Sequence, residues 1–181
     1  MVWLIGCKGM LGSEIAKQLT ENKIDWIGSD RDVDITNPAE LSKFAHNHGT
    51  AAGRTGISVA RGTVPEKITW VINCAAYTAV DKAEEDSELA EKLNAEGPKN
   101  IARITRELGA KLIHISTDYV FDGTGNFPYT EDMLKCPDSV YGRTKAAGED
   151  FVEKEMTQYY ILRTAWLYGF DGKNFVYTMT K

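Results

Sequence analysis

Residues 2–19 read VWLIGCKGMLGSEIAKQL. The first four residues are apolar and predict a short strand. Three glycines follow, and apolar residues then recur at helical spacing at Leu11, Ile15 and Leu19. We therefore predict a strand, a glycine-rich turn and a helix in direct succession, which is the opening unit of an alternating α/β fold.

Strand and helix signals alternate along the rest of the chain. Short apolar runs predict four further strands, at Ile24–Gly28, Trp70–Ala76, Lys111–Ser116 and Tyr160–Leu167. Helical patterns lie between them, at Pro38–Phe44 with Asn37 as N-cap, at Leu89–Leu108, at Ser139–Met156 and from Asn174 onwards. The third strand is apolar throughout, which is typical of the centre of a parallel sheet. The pattern predicts an α/β domain with a doubly wound parallel sheet over residues 1–181.

The composition excludes several classes of protein. The 181 residues carry a formal net charge of −5 with interspersed charges, which does not favour a nucleic-acid partner. No apolar run reaches the roughly 18 residues of a membrane helix, and the first residues do not resemble a signal peptide. Cys7, Cys74 and Cys136 are widely spaced and fit a reducing compartment. We expect a soluble cytoplasmic protein with no membrane partner and with Cys74 buried rather than reactive.

Two segments break the alternation. Residues 46–68 are rich in Gly, Thr and Ala without periodicity, and we interpret them as a long surface loop. His46 and His48 have no cysteine or third histidine nearby, so a solvated pair is favoured over a metal site. The helical pattern that starts at Phe175 stops at Lys181 without a cap. We therefore expect the chain to be an N-terminal fragment.

The glycine turn is a candidate site for a dinucleotide in a Rossmann-like fold. Gly6, Gly9 and Gly12 have the spacing GxxGxxG, with Met10 and Leu11 at the start of the predicted helix. Glycine lets the backbone approach a pyrophosphate, and the helix N-terminus supplies N–H donors. The spacing is typical of the short-chain dehydrogenases/reductases, although a tight turn without a ligand is the alternative.

Two charged residues at the end of the second strand bear on the choice of cofactor. Asp30 lies 18 residues after Gly12, close to the offset at which an acidic side chain meets the adenosine ribose of NAD(H). Arg31 follows immediately and suits the 2′-phosphate of NADP(H). An exposed turn is the alternative interpretation of the pair, and the sequence leaves NADH and NADPH both open.

A tyrosine and a lysine are the candidate catalytic pair. Tyr141 and Lys145 are spaced i, i+4 on a predicted helix and share one face. A neighbouring cation favours the phenolate, so we expect Lys145 to lower the pKa of Tyr141. Thr117 follows a predicted strand, at the end where this architecture binds ligands. An ordinary surface pair is the alternative for the tyrosine and the lysine.

Four motifs together resemble the dTDP-4-dehydrorhamnose reductase family of the extended short-chain dehydrogenases/reductases. They are NCAAYTAVDKAEED (73–86), STDYVFDG (116–123), YGRTK (141–145) and RTAWLYG (163–169). The resemblance covers nearly the whole chain apart from residues 46–68. Family members continue beyond the position of Lys181 into a smaller lobe that holds much of the sugar nucleotide.

The resemblance implies a role for each matching residue. The catalytic trio would be Thr117, Tyr141 and Lys145. The cofactor NAD(P)H would also be lined by Asp34, Ile35, Ala75, Ala76 and Thr78, and the nucleotide-sugar substrate by Val80, Thr117, Asp118, Tyr119 and Trp166. The implied reaction is reduction of a 4-keto-6-deoxysugar in dTDP-rhamnose biosynthesis, with Tyr141 as proton donor. The resemblance also allows a homodimer in the full-length protein, and we interpret the acidic run Glu84–Asp86 as a solvated helix face.

Two other functions remain open. Sugar-nucleotide dehydratases and epimerases resemble this chain less, because dehydratases place an Asp-Glu pair after the threonine, where this chain has Asp118 and Tyr119. The regulatory subunit of methionine adenosyltransferase also looks like this family and would be a binding module rather than an enzyme. The intact Thr117, Tyr141 and Lys145 favour the enzyme.

Overall fold

The computed structural model describes residues 1–49, 67–126, 128–172 and 174–180. Its centre is a parallel sheet of five strands in the order β2-β1-β3-β4-β5. The strands are β1 (Val2–Ile5), β2 (Trp26–Ser29), β3 (Trp70–Asn73), β4 (Lys111–Thr117) and β5 (Tyr159–Thr164). The predicted fold class is confirmed, and β3 lies at the centre of the sheet as its apolar run indicated.

The helices lie in the connections between the strands, except for the last, which follows β5. They are α1 (Met10–Glu21), α2 (Pro38–Gly49), α3 (Val80–Ala83), α4 (Ser87–Glu91), α5 (Gly97–Glu107), α6 (Val140–Glu155) and α7 (Phe175–Met179). A π-helical segment (Lys92–Glu96) joins α4 to α5, and a 3₁₀ turn (Asp118–Val120) follows β4. Within the described ranges, no helix is long and apolar enough to cross a membrane.

The register brings the carboxyl ends of neighbouring strands to one edge of the sheet. Ile5 at the end of β1 pairs with Ser29 on one side and with Asn73 on the other. Thr117 at the end of β4 pairs with Thr164 of β5. The loops after these strands therefore meet along a single edge, where open parallel sheets bind ligands.

The main core lies between the sheet and helices α2, α5 and α6. Trp3, Val71 and Leu112 supply fully buried side chains from three neighbouring strands, and Leu41 and Ile101 supply them from α2 and α5. Burying a large apolar side chain contributes about 1.5–3 kcal/mol, so this layer holds the helices on the sheet.

Several predicted boundaries were wrong. The strands expected to end at Ala76 and Leu167 end at Asn73 and Thr164, and the helix expected over residues 89–108 is divided by the π-helical segment. Helix α2 continues to Gly49, so residues 46–49 are helical rather than part of a loop. Residues 50–66 lie outside the described part of the chain. At the other end of the expected loop, Ile68 is fully buried in the core.

Candidate active site

The turn after β1 is built from backbone that is packed too closely for side chains. Gly6 has a φ of +78°, a left-handed conformation that glycine adopts without strain. A Cβ on Gly6 would lie 2.8 Å from the backbone nitrogen of Ala75, and one on Gly12 would overlap the Gly6 carbonyl oxygen. Gly9 directly precedes α1 and supplies no side-chain cap. The first N–H groups of α1, from Met10 onwards, therefore suit a pyrophosphate.

Asp30 lies directly after β2 and contacts the glycine turn. Its Oδ2 accepts a hydrogen bond from the backbone N–H of Lys8 at 3.0 Å, and its Oδ1 accepts one from the backbone N–H of Arg31 at 2.9 Å. Each carboxylate oxygen keeps a lone pair for a ribose hydroxyl. Arg31 is exposed beside it. The pair therefore suits either a 2′-hydroxyl or a 2′-phosphate.

The other predicted cofactor residues follow β3 and β2. Ala75 and Ala76 are half-buried and Thr78 is exposed in the segment after β3. Asp34 is exposed, and its Oδ1 accepts hydrogen bonds from the backbone N–H and the hydroxyl of Thr36, both at 2.8 Å. These residues place small and polar side chains along the edge of the sheet that carries the glycine turn.

Ile35, which the resemblance places along the cofactor, has its side chain in the core. It is buried in the core, where a Cβ on Gly97 would lie 2.6 Å from its Cδ1. Its carbonyl oxygen accepts a hydrogen bond from Asn100 Nδ2 at 3.2 Å. The Ile35 side chain therefore packs α5 on the sheet and leaves only its backbone to face a cofactor.

Helix α6 begins at a point that is fixed by two caps and one close contact. Ser139 Oγ accepts a hydrogen bond from the N–H of Gly142 at 3.0 Å, and Glu84 Oε1 accepts one from the N–H of Val140 at 2.8 Å. A Cβ on Gly142 would overlap the carbonyl oxygen of Tyr119. The start of α6 therefore lies in direct backbone contact with the 3₁₀ turn after β4.

Thr117, Tyr141 and Lys145 meet at the carboxyl end of β4. Thr117 Oγ1 accepts a hydrogen bond from the backbone N–H of Tyr119 at 3.2 Å. The buried Tyr141 ring packs edge-on against the Tyr119 ring, with 5.5 Å between centroids. Lys145 Nζ donates a hydrogen bond to the Ile115 carbonyl oxygen at 2.7 Å. The structure brings together the three residues that the sequence singled out.

The electrostatics of this trio differ from the expectation. Burial raises the pKa of Tyr141, a hydrogen bond with Thr117 opposes the change, and the Asp118 carboxylate adds to it. Burial lowers the pKa of Lys145 to about 8. The expected lowering of the Tyr141 pKa by Lys145 is absent, because burial of the phenol dominates. Tyr141 therefore keeps its proton at neutral pH, as a proton donor must.

The predicted substrate residues differ in their exposure and in whether they contact the trio. Val80 packs against a small cluster that contains Tyr141, and Asp118 accepts a hydrogen bond from the Thr117 hydroxyl at 3.0 Å. Tyr119 is 47% exposed. Trp166, after β5, is 74% exposed with a φ of +53°, and its ring packs edge-on against Phe175. The tryptophan is thus a surface residue and not part of the core.

The sequence did not predict the hydrogen bonds of two groups of residues near the site. Asn94 is fully buried, its Oδ1 accepts from the Tyr77 N–H at 2.8 Å, and its Nδ2 donates to Thr144 Oγ1 at 3.2 Å. The sequence signal that could have identified Asn94 is a polar residue within an apolar helical pattern. The acidic run Glu84–Asp86 is exposed, as expected, but two of its hydrogen bonds were missed: Glu84 caps α6, and Asp86 accepts from the Tyr77 hydroxyl at 2.9 Å.

A parallel sheet with a glycine turn, an acidic residue after β2 and a Thr–Tyr–Lys group on one edge is the architecture of the extended short-chain dehydrogenases/reductases. The family can be named more narrowly. The chain belongs to the family of the RmlD substrate binding domain, whose model matches residues 1–181.

Curated relatives and solved structures agree with this family. The chain is 44% identical over 184 residues to a probable dTDP-4,6-dihydroxy-2-methyloxan-3-one 4-ketoreductase of Streptomyces antibioticus, covering 99% of this chain and 56% of the relative. It is 41% identical to a dTDP-4-dehydrorhamnose reductase of Streptomyces griseus, covering 99% and 54%. A dTDP-4-dehydrorhamnose reductase of Bacillus anthracis in complex with NADP superposes with a TM-score of 0.86 at 37% identity, covering 99% and 58%. The chain thus spans little more than half the length of these relatives.

Proposed function

We propose that the protein reduces the 4-keto group of a dTDP-4-keto-6-deoxysugar, dTDP-4-dehydrorhamnose, with NADPH or NADH. The observation that carries the proposal is the meeting of Thr117, Tyr141 and Lys145 on the edge that also carries the glycine turn. Two of the relatives are reductases of this substrate class by name, and one solved relative holds NADP. The regulatory-subunit alternative needs none of the three side chains.

The glycine turn and the end of β2 would hold the cofactor. The N–H groups at the start of α1 would bind the pyrophosphate, and Asp30 and Arg31 would contact the adenosine ribose. When bound, the reduced nicotinamide supplies the hydride. Lys145 would hold the nicotinamide ribose with the N–H bonds that its contact to Ile115 leaves free.

The trio would protonate and orient the ketone. Thr117 would turn its hydroxyl from Asp118 to the carbonyl oxygen, and Tyr141 would donate a proton to the same oxygen as negative charge develops there. The raised pKa of Tyr141 keeps the donor protonated until that point. Tyr119, which packs against Tyr141, and Trp166, which is exposed after β5, would contact the nucleotide sugar.

The length of the relatives bears on where the substrate binds. They carry almost as much chain again, so we propose that a portion beyond residue 181 completes the sugar pocket. Residues 1–181 should then bind cofactor and turn over substrate poorly. We also propose a cytoplasmic enzyme, with a homodimer as the form to test by light scattering and, given the net charge of −5, no nucleic-acid partner.

The proposal is tested with Tyr141→Phe, which keeps the ring and removes the hydroxyl. Cofactor binding, followed by NADPH and NADH fluorescence, should be retained in residues 1–181. In the protein extended to the length of its relatives, reduction of dTDP-4-dehydrorhamnose should fall by about 10²- to 10⁴-fold. Near-normal turnover by this variant would contradict the role of Tyr141. Cofactor binding by the extended wild type without any turnover would favour the regulatory module.

A further inference from the structure

A fully buried carboxylate lies one helical turn beyond the candidate catalytic lysine. Tyr141, Lys145 and Glu149 are spaced i, i+4, i+8 along α6 and share one face. Glu149 is 0% exposed. Burying a carboxylate destabilises the fold unless the group is paired and hydrogen-bonded. The partners of Glu149 therefore indicate its role.

The partners of Glu149 come from three separate parts of the chain. Ser116 Oγ donates to its Oε1 at 2.5 Å from β4. Arg163 of β5 donates through Nε to Oε1 at 3.0 Å and through Nη2 to Oε2 at 2.8 Å. Lys135 Nζ lies 3.5 Å from Oε2. Glu149 therefore joins α6 to both strands that end beside the candidate active site.

The Glu149–Ser116 contact acts directly on the end of β4. Ser116 is the residue before Thr117, and in the register of β4 with β5 the two residues lie beside Arg163 and Thr164. Fixing Ser116 to α6 fixes the distance between Thr117 and Tyr141, which lie on the two joined elements. Misplacement of a catalytic group by about 1 Å can cost 10²-fold in rate.

The second effect of Glu149 is electrostatic. The titratable groups that act on Lys145 are Glu149 on α6 and Cys74 after β3, and His114 on β4 faces it as well. Burial raises the pKa of Cys74 to about 12, so the thiol stays neutral. Burial lowers the pKa of His114 well below its usual value, so the imidazole is also neutral. Glu149 is then the charged group of this set that favours the Lys145 ammonium.

Resting on the proposed function, we infer that Glu149 is a positioning residue whose charge shares one face of α6 with Lys145 and whose bond to Ser116 fixes Thr117 against Tyr141. Arg163 and Lys135 balance its charge through ion pairs with Oε2. Lys135 is in turn paired with Asp150 at 2.5 Å and with Glu153 at 3.7 Å. The network thus supports Lys145 through a carboxylate that does not itself touch substrate or cofactor.

The first test is Glu149→Gln, which keeps the shape of the side chain and removes its charge. Titration of ¹³C-labelled lysine side chains by NMR, with Lys145 assigned from a Lys145→Met sample, should show its midpoint lowered by about one pKa unit. In the extended enzyme the high-pH limb of kcat/KM should move down by the same amount. Glu155→Gln is the matched control, because Glu155 ends the same helix and pairs with Arg103 and Arg106. It should move neither titration.

Two further variants separate the electrostatic effect from a folding defect. Glu149→Gln/Arg163→Met removes both charges of the pair, leaves no unpaired cation, and should still lower the Lys145 midpoint. Ser116→Ala keeps the Glu149 charge and should lower kcat while the midpoint stays as in wild type. An unchanged Lys145 midpoint in Glu149→Gln and in the double variant would overturn the inference. An extended wild type that reduces no keto sugar would refute the proposed function alone, because the NMR titration is independent of turnover.

Discussion

Replacement of Lys145 by methionine should stabilise the folded chain at neutral pH. Lys145 is 2% exposed, and burial lowers its pKa from 10.5 to about 8. A shift of that size corresponds to about 3 kcal/mol of unfavourable free energy while the ammonium is charged in the folded state. Methionine has a similar length and no charge. It loses the hydrogen bond to the Ile115 carbonyl oxygen, which costs about 1 kcal/mol. The net gain expected at pH 7 is about 2 kcal/mol.

The sign of this difference should reverse in alkaline solution. Between pH 8 and pH 10.5 the unfolded Lys145 keeps its proton while the folded one loses it, so wild-type stability rises with pH in this window. Above pH 10.5 Lys145 is neutral in both the folded and the unfolded state. The two chains then differ in stability only by the hydrogen bond that Lys145→Met loses. The Lys145→Met chain should then be less stable than wild type by about 1 kcal/mol.

Urea unfolding of both chains at pH 7, 8, 9, 10 and 11 measures the difference on both sides of the expected reversal. Titrations that the two chains share cancel when their unfolding free energies are subtracted. Lys154→Met is the matched control, because Lys154 is an exposed lysine on the same helix. Its difference from wild type should keep the same sign throughout. A Lys145→Met chain that is less stable at pH 7, or a difference that does not vary with pH, would refute the reasoning.

Three further outcomes are expected. Asp30→Ala should weaken NADH binding, and Arg31→Ala should weaken NADPH binding by about 1–3 kcal/mol, as measured by calorimetry. An unchanged cofactor preference in Arg31→Ala would show that Arg31 does not contact the cofactor. Gly142→Ala should destabilise the fold by about 1–3 kcal/mol in urea, because its Cβ meets backbone, and wild-type stability would contradict the close contact. Glu84→Ala should cost about 1 kcal/mol and speed hydrogen exchange at the Val140 amide, and unchanged exchange would argue against the cap.

Local patterns were enough to predict the sheet and the edge that carries the site. The apolar runs located all five strands, although those of β3 and β5 continue past the strand ends, and the rule that ligands bind at the carboxyl ends of parallel strands located Thr117 and the glycine turn. The end of β5 was misjudged because apolar residues continue to Leu167, yet the backbone leaves the sheet after Thr164 and Trp166 adopts a positive φ. Apolar character alone does not distinguish a strand from an exposed loop.

Features that depend on contacts distant in sequence could not be predicted. Asn94 bonds to the backbone of Tyr77, and the π-helical segment around it has no signature in helical periodicity. The pairing of Glu149 with Arg163 joins residues on α6 and β5 that no local pattern relates. The pKa of Tyr141 depends on burial, which a spacing of four residues does not specify.

The obstacle at Gly142 is a backbone carbonyl, whereas the obstacle at Gly97 is the side chain of Ile35. The two glycines therefore differ in whether a second mutation can compensate for a substitution. A second mutation that shortens Ile35 makes room for alanine at position 97, so that pair should show strong positive epistasis. No change of side chain moves the Tyr119 carbonyl, so alanine at position 142 has no single-residue suppressor at the contact itself. In a mutational scan, Gly142 would therefore look as intolerant as a catalytic residue while taking no part in the chemistry.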